Sequence, residues 1–136
     1  MILGIGVDLC SIERIERALS RHGDAFLDRV FTQEEQAYIQ SLRGAARAGA
    51  CAKRWAAKEA CAKALGTGFA QGVQLRDISV GRDALGAPVL SVSGAAAALL
   101  EKRLPAGYKA VLLLSMSDEP PMAMAQVLIQ AVAQSA

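Results

Sequence analysis

The chain opens on an apolar run, Met1 to Leu9, interrupted by Gly4, Gly6 and Asp8. A short apolar run bounded by polar residues predicts a buried strand. Ile12, Ile15 and Leu19 then recur at helical spacing, which predicts a helix from Ile12 to Arg21 with Ser11 as its N-cap. Gly23 ends it. Phe31-Thr32-Gln33-Glu34-Glu35 contains a capping box, Thr32 as N-cap and Glu35 at the third helical position. The helix it opens runs to about Leu42, with Ala37, Tyr38 and Leu42 expected to face inward. Gly44 to Gly49 reads as a flexible link, where Arg43 and Arg47 either stay solvated or meet an anion late. From Cys51 to Leu65 the pattern is strongly helical, and Ala57, Ala60, Cys61, Ala64 and Leu65 form one apolar face. Alanine has the best helix propensity and the smallest side chain, so a neighbouring element can approach closely.

Beyond Gly72 the pattern turns to strands. Val73 to Gly81 and Pro88 to Ser93 predict a hairpin around Arg82 to Gly86. Gly94 to Leu104 predicts an Ala/Leu helix capped by Ser93 and stopped by Pro105 and Gly107. Lys109 to Ser117 and Met122 to Val132 predict a second hairpin around Asp118 to Pro121. Helices come mostly first and hairpins mostly second. That grouping predicts an α+β fold, an antiparallel sheet of hairpins packed with a long central helix and smaller helices. At 136 residues the expectation is one domain over residues 1–136, with a small core that oligomerisation would help.

Composition narrows the function classes. A net charge of +2 argues against a general nucleic-acid binder. Three Cys without a CxxC pair indicate neither a disulfide framework nor a zinc knuckle. His22 is the one histidine, read as a solvated residue at a helix end, so His-based metal sites and Ser-His or Cys-His catalysis have almost no material. No segment reaches the roughly 18 apolar residues of a membrane span. The N-terminus lacks a basic region before its apolar run, so it is not read as a signal peptide. The expected location is the reducing cytoplasm.

Two acids stand out because they sit in apolar elements: Asp8 and Glu59. Asp8 either caps the following helix or, with Ser11 in that role, is free for other work. Glu59 and Lys63 are four apart and share a helix face; they form either a solvated ion pair or part of an anion site. Arg14, Arg17 and Arg21 make one basic face, either solvated beside Glu13 and Glu16 or a docking surface for an acidic partner. Gly66-Thr67-Gly68 follows the helix, at its negative end, and is therefore not a P-loop. Packing of the first strand on the central helix would bring Asp8 and Glu59 together. Two carboxylates hold Mg²⁺ when substrate phosphate completes its shell. Arg54, Lys58 and Lys63 would then neutralise phosphate, a constellation for phosphoryl-type transfer.

The GIGVDL of Gly4 to Leu9, the FTQEE of Phe31 to Glu35 and the AAKEACAKALGTG of Ala56 to Gly68 resemble the holo-acyl-carrier-protein synthases, the small bacterial 4′-phosphopantetheinyl transferases. LGAP at Leu85 to Pro88 and the final hairpin fit as well. The resemblance implies Mg²⁺-dependent transfer of 4′-phosphopantetheine from coenzyme A to a serine of apo-acyl carrier protein, releasing adenosine 3′,5′-bisphosphate, for fatty acid biosynthesis. It implies Asp8 and Glu59 as metal ligands. Glu59, directly or through a metal-bound water, would be the base for the serine, and Lys63 would steady the leaving group. Arg54, Lys58, Lys63, the Gly66, Thr67 and Gly68 turn, Gly86 and Pro88 would contact coenzyme A. Arg14, Arg17 and Arg21 would dock the carrier. It also implies a homotrimer with a site at each subunit interface, and no nucleic acid or membrane partner. Two departures are expected to weaken coenzyme binding or to need another Arg or Lys: Ala87 stands where many members have Lys, and Leu113 where many have His. They leave open a non-catalytic coenzyme A or carrier-binding module, and a metal-dependent pyrophosphate hydrolase is the other alternative.

Overall fold

The computed structural model describes residues 1–135. The order is β1 (Ile2–Ser11), α1 (Ile12–His22), α2 (Asp24–Val30), α3 (Gln33–Gln40), α4 (Gly44–Leu65), a 3₁₀ turn (Leu75–Asp77), β2 (Ile78–Arg82), β3 (Pro88–Val92), α5 (Gly94–Arg103), β4 (Tyr108–Glu119) and β5 (Met122–Ala133). The fold is α+β, with two antiparallel sheets: β1-β5-β4 and the hairpin β2-β3.

Fourteen of the 22 residues of α4 are buried, on nearly every side. A helix buried on most of its circumference is a core helix, here built largely of alanines with Arg54 and Lys58 buried among them, and the three-stranded sheet packs along it. β1 comes closest, through Gly4 and Gly6. A Cβ on Gly6 would lie 1.9 Å from the Ala60 carbonyl oxygen, and one on Gly4 1.9 Å from that of Ala64. No residue with a side chain fits either position. The strand alternation then decides the rest. Gly6, Cys10, Ala125, Val127 and Ile129 face α4 and are buried, while Ile5, Val7, Leu9, Leu113 and Met124 face away and stay exposed.

Several expectations change. α4 starts seven residues earlier than Cys51, and the supposed link Gly44 to Gly49 is its first turns. Arg47 is not mobile: its guanidinium donates to the carbonyls of Ile39, Leu42 and Gln40, satisfying the frayed end of α3. On α3 the buried residues are Glu35, Gln36 and Ile39, whereas Ala37 is exposed. Hydropathy misreads that face because Glu35 is the internal partner of a lysine. α2 was not expected, although Phe26, Leu27 and Val30 bury one face of it. The strand expected from Val73 begins at Ile78, after the 3₁₀ turn. Gly66 adopts the left-handed conformation, φ 87°, that stops α4.

Candidate active site

The close approach of β1 sets Asp8, the next inward residue after Gly6, beside α4. Lys63 reaches back from the last turn of that helix. Its Nζ donates to Asp8 Oδ1 at 3.0 Å and to the Val7 carbonyl at 3.0 Å. Glu59 lies one turn earlier on the same face. Burial pushes its carboxyl above the ordinary range, the charge of Asp8 pushes it further, and Lys63 draws it back. Glu59 therefore lies within the electrostatic reach of Asp8. The helix-capping reading of Asp8 falls, because Ser11 Oγ accepts the Arg14 N–H at 3.3 Å.

Two carboxylates and one ammonium leave this cluster net negative. Among the described residues no group of three or more His, Cys, Asp or Glu gathers to hold a metal. The donor set fits a hard divalent cation that takes two carboxylates and finds its other oxygens on substrate and water. Beside the cluster, Glu59 lines a cavity of about 540 Å³ together with Arg29, Phe69, Val73, Gln74 and Leu75. The Gly66-Thr67-Gly68 turn leads from Lys63 to the Phe69 wall.

Arg54, Gly86 and Pro88 also come together, but elsewhere. With Tyr38, Lys53 and Arg82 they line a second cavity, of about 170 Å³. Arg54 is five residues before Glu59, about 140° round the helix, so the two cavities open on different sides of α4. Arg54 is buried, its guanidinium 4.5 Å over the Tyr38 ring, and its Nε has no partner. Burial lowers its pKa from the ordinary arginine value. Gly86 makes the tight turn at φ 87° that brings this loop to the cavity.

Lys58 corrects the sequence reading. It is fully buried and cannot meet a phosphate. Its Nζ donates to Glu35 Oε1 at 2.6 Å, to the Leu75 carbonyl at 3.1 Å and to the Ile78 carbonyl. Glu35 in turn accepts from the N–H groups of Thr32 and Val80. The pair thus ties α3, α4, the 3₁₀ turn and β2 together. Leu113 lies on the outward face of β4, and the part of β4 that reaches the second cavity is Met116. Lys53 and Arg82 were not singled out beforehand, and Tyr38 was read only as an inward-facing core residue. Lys53 preceding Arg54, and Arg82 flanking the Gly86 turn, were the available signals.

Arg14, Arg17, Arg21 and His22 line a shallow cavity on α1. Next to it, Leu9, Ile15, Phe26 and Trp55 form a small apolar pocket that Arg14 also borders. Arg17 pairs with Glu13 at 3.0 Å, both exposed, which is worth little to the fold. The thiols take no part: Cys10, Cys51 and Cys61 are free and buried, with burial pushing Cys51 and Cys61 up to about 12 and Cys10 to about 11.

A holo-[acyl-carrier-protein] synthase of Gluconobacter oxydans is 61% identical over 132 residues, 97% of this chain and 84% of that protein. The crystal structure of the synthase from Neisseria meningitidis superposes with a TM-score of 0.82 at 40% identity, covering 96% of this chain and 99% of that one. The Bacillus anthracis synthase, solved in complex with CoA (3′,5′-ADP), gives a TM-score of 0.76 at 35% identity over 95% of this chain and 96% of that one. The family model for the 4′-phosphopantetheinyl transferase superfamily matches residues 4–118, so the chain belongs to that superfamily.

Proposed function

We propose that this protein transfers 4′-phosphopantetheine from coenzyme A to a serine of apo-acyl carrier protein. The observation that carries the reading is the convergence of Asp8, Lys63 and Glu59 beside an open cavity. Asp8 and Glu59 would hold Mg²⁺, which when bound supplies charge neutralisation for the diphosphate of coenzyme A. Glu59 carries a raised pKa and takes the proton of the attacking serine hydroxyl. The serine oxygen forms its bond to the phosphorus that bears pantetheine, and the bond from that phosphorus to the bridging oxygen breaks. Adenosine 3′,5′-bisphosphate leaves, and Lys63 stabilises the charge growing on its phosphate. Arg54, Gly86 and Pro88 bind the adenosine end, the Gly66-Thr67-Gly68 turn borders the coenzyme, and Arg14, Arg17 and Arg21 dock the acidic carrier.

The two cavities lie on different sides of one helix, and one sheet face is apolar and uncovered. Both features support a homotrimer in which Glu59 of one copy and Arg54 of another serve the same coenzyme. The buried reduced thiols fit a cytoplasmic protein.

The test is to mix purified protein with apo carrier, coenzyme A and Mg²⁺ and weigh the carrier. A gain equal to one phosphopantetheine group is expected, and an unmodified carrier overturns the reading. Omitting the carrier separates the hydrolase alternative, since a transferase leaves the coenzyme intact.

A further inference from the structure

The second cavity is lined by three cationic side chains, Lys53, Arg54 and Arg82, and by no carboxylate. Arg54 and Arg82 both lie over the Tyr38 ring, at 4.5 and 5.0 Å, and Arg82 also donates to the Tyr38 hydroxyl at 2.7 Å. A tyrosine face compensates a guanidinium only in part. Arg54 is 3% exposed and keeps one N–H without a partner. Glu35, the one carboxylate whose charge acts on it, is occupied by Lys58 and two backbone N–H groups. These two guanidinium groups are arranged for an anion that the chain itself does not provide.

Lys53 differs. It stands at the rim and is paired with Asp118 at 3.3 Å, both side chains roughly one-third exposed. Asp118, from the end of β4, lies against Gly49, one turn before Lys53 on α4. A Cβ on Gly49 would come within 2.8 Å of Asp118 Oδ2. The carboxylate therefore sits in a notch that a larger residue would close, while the lysine has a flexible stem able to turn into the cavity.

We propose that Asp118 is an internal competitor for Lys53 and sets the affinity of this cavity for a phosphate monoester. On binding, the phosphate is held by Arg54 and Arg82 and draws Lys53 away from Asp118. The competing carboxylate weakens the bound state and speeds release. This assignment rests on the transferase reading only for its purpose: a coenzyme and a departing nucleotide that share one phosphate would both be held loosely enough to exchange.

The test is calorimetric titration of the intact protein with adenosine 3′,5′-bisphosphate, adenosine 5′-phosphate and inorganic phosphate. Asp118→Asn should bind the bisphosphate roughly two- to fivefold more tightly, the range expected for releasing one partly exposed ion pair. Lys53→Met should bind it more weakly, and Asp118→Asn should add nothing in the Lys53→Met background. Asp118→Ala should repeat the gain. An equal gain with inorganic phosphate identifies a site for any phosphate, whereas a gain confined to the bisphosphate identifies the adenosine end of the coenzyme. Unchanged or weaker binding by both Asp118 variants, or a full gain that persists without Lys53, overturns the proposal. Because the readout needs no turnover, it stands apart from the carrier-modification assay.

Discussion

At the scale of single residues, Glu59 joins the chemistry to the energetics. Its carboxyl is raised by burial first and by Asp8 second, so its ionised form is disfavoured in the folded state. The sign follows. Protonated at low pH, the group adds no repulsion; as pH rises through its elevated pKa, the charge beside Asp8 begins to cost stability. Glu59→Gln should therefore melt higher than the parent near neutral pH without Mg²⁺, and the two melting temperatures should converge in acid. Added Mg²⁺ should raise the melting temperature of the parent and not that of the variant. Glu59→Gln should lose about 10²–10⁴-fold in kcat with Mg²⁺ saturating; a variant that keeps the parental rate would remove Glu59 as the base.

At the scale of elements, the fold stands on two contacts of different legibility. β1 against α4 was readable, because Gly4, Gly6 and the alanines of α4 announce a close approach. The meeting of Asp8 and Lys63 follows from that approach: Asp8 stood out as an acid in an apolar strand, and Lys63 as the residue four after Glu59 on one helix face. Gly6→Ala should push its methyl into the Ala60 carbonyl, lower the melting temperature and reduce activity with it; a variant that retains full stability and activity would contradict the packing. The Lys58–Glu35 pair was not readable, because pattern assigns a charged residue to solvent and cannot see a partner 23 positions away. Lys58→Met should cost about 3–5 kcal/mol in chemical denaturation by leaving Glu35 charged, buried and unpaired. Glu35→Gln in that background should recover part of the loss, since the amide carries no charge and its single oxygen still accepts from one of the two N–H groups, Thr32 or Val80, that meet separate carboxylate oxygens. The division of Glu59 and Arg54 between two cavities on different sides of α4 was likewise hidden, because position along a helix fixes direction only once the neighbouring elements are known.

At the scale of the whole molecule, the outer face of the β1-β5-β4 sheet asks for a cover. Ile5 is 59% exposed and Leu113 49%, and both pair in register with Leu128 between them, so the apolar surface crosses all three strands. Such continuous apolar surface marks an interface. Ile5→Lys with Leu113→Lys should give monomers in sedimentation, with the helical content kept and the transfer activity lost. A sharper prediction concerns which copy supplies which group. Glu59→Gln chains lack the proposed base and Arg54→Met chains lack the buried cation, so each should be inactive alone. If one site takes Glu59 from one copy and Arg54 from its neighbour in a head-to-tail ring, mixing the two variants through co-expression creates intact sites. Random assortment makes about a quarter of the interfaces whole, since each must draw both intact groups from the right chains. Activity near that fraction of the parent would establish a shared site. Its complete absence in verified mixed oligomers would mean that each chain serves its own coenzyme, and the two cavities on opposite sides of α4 would then need separate ligands.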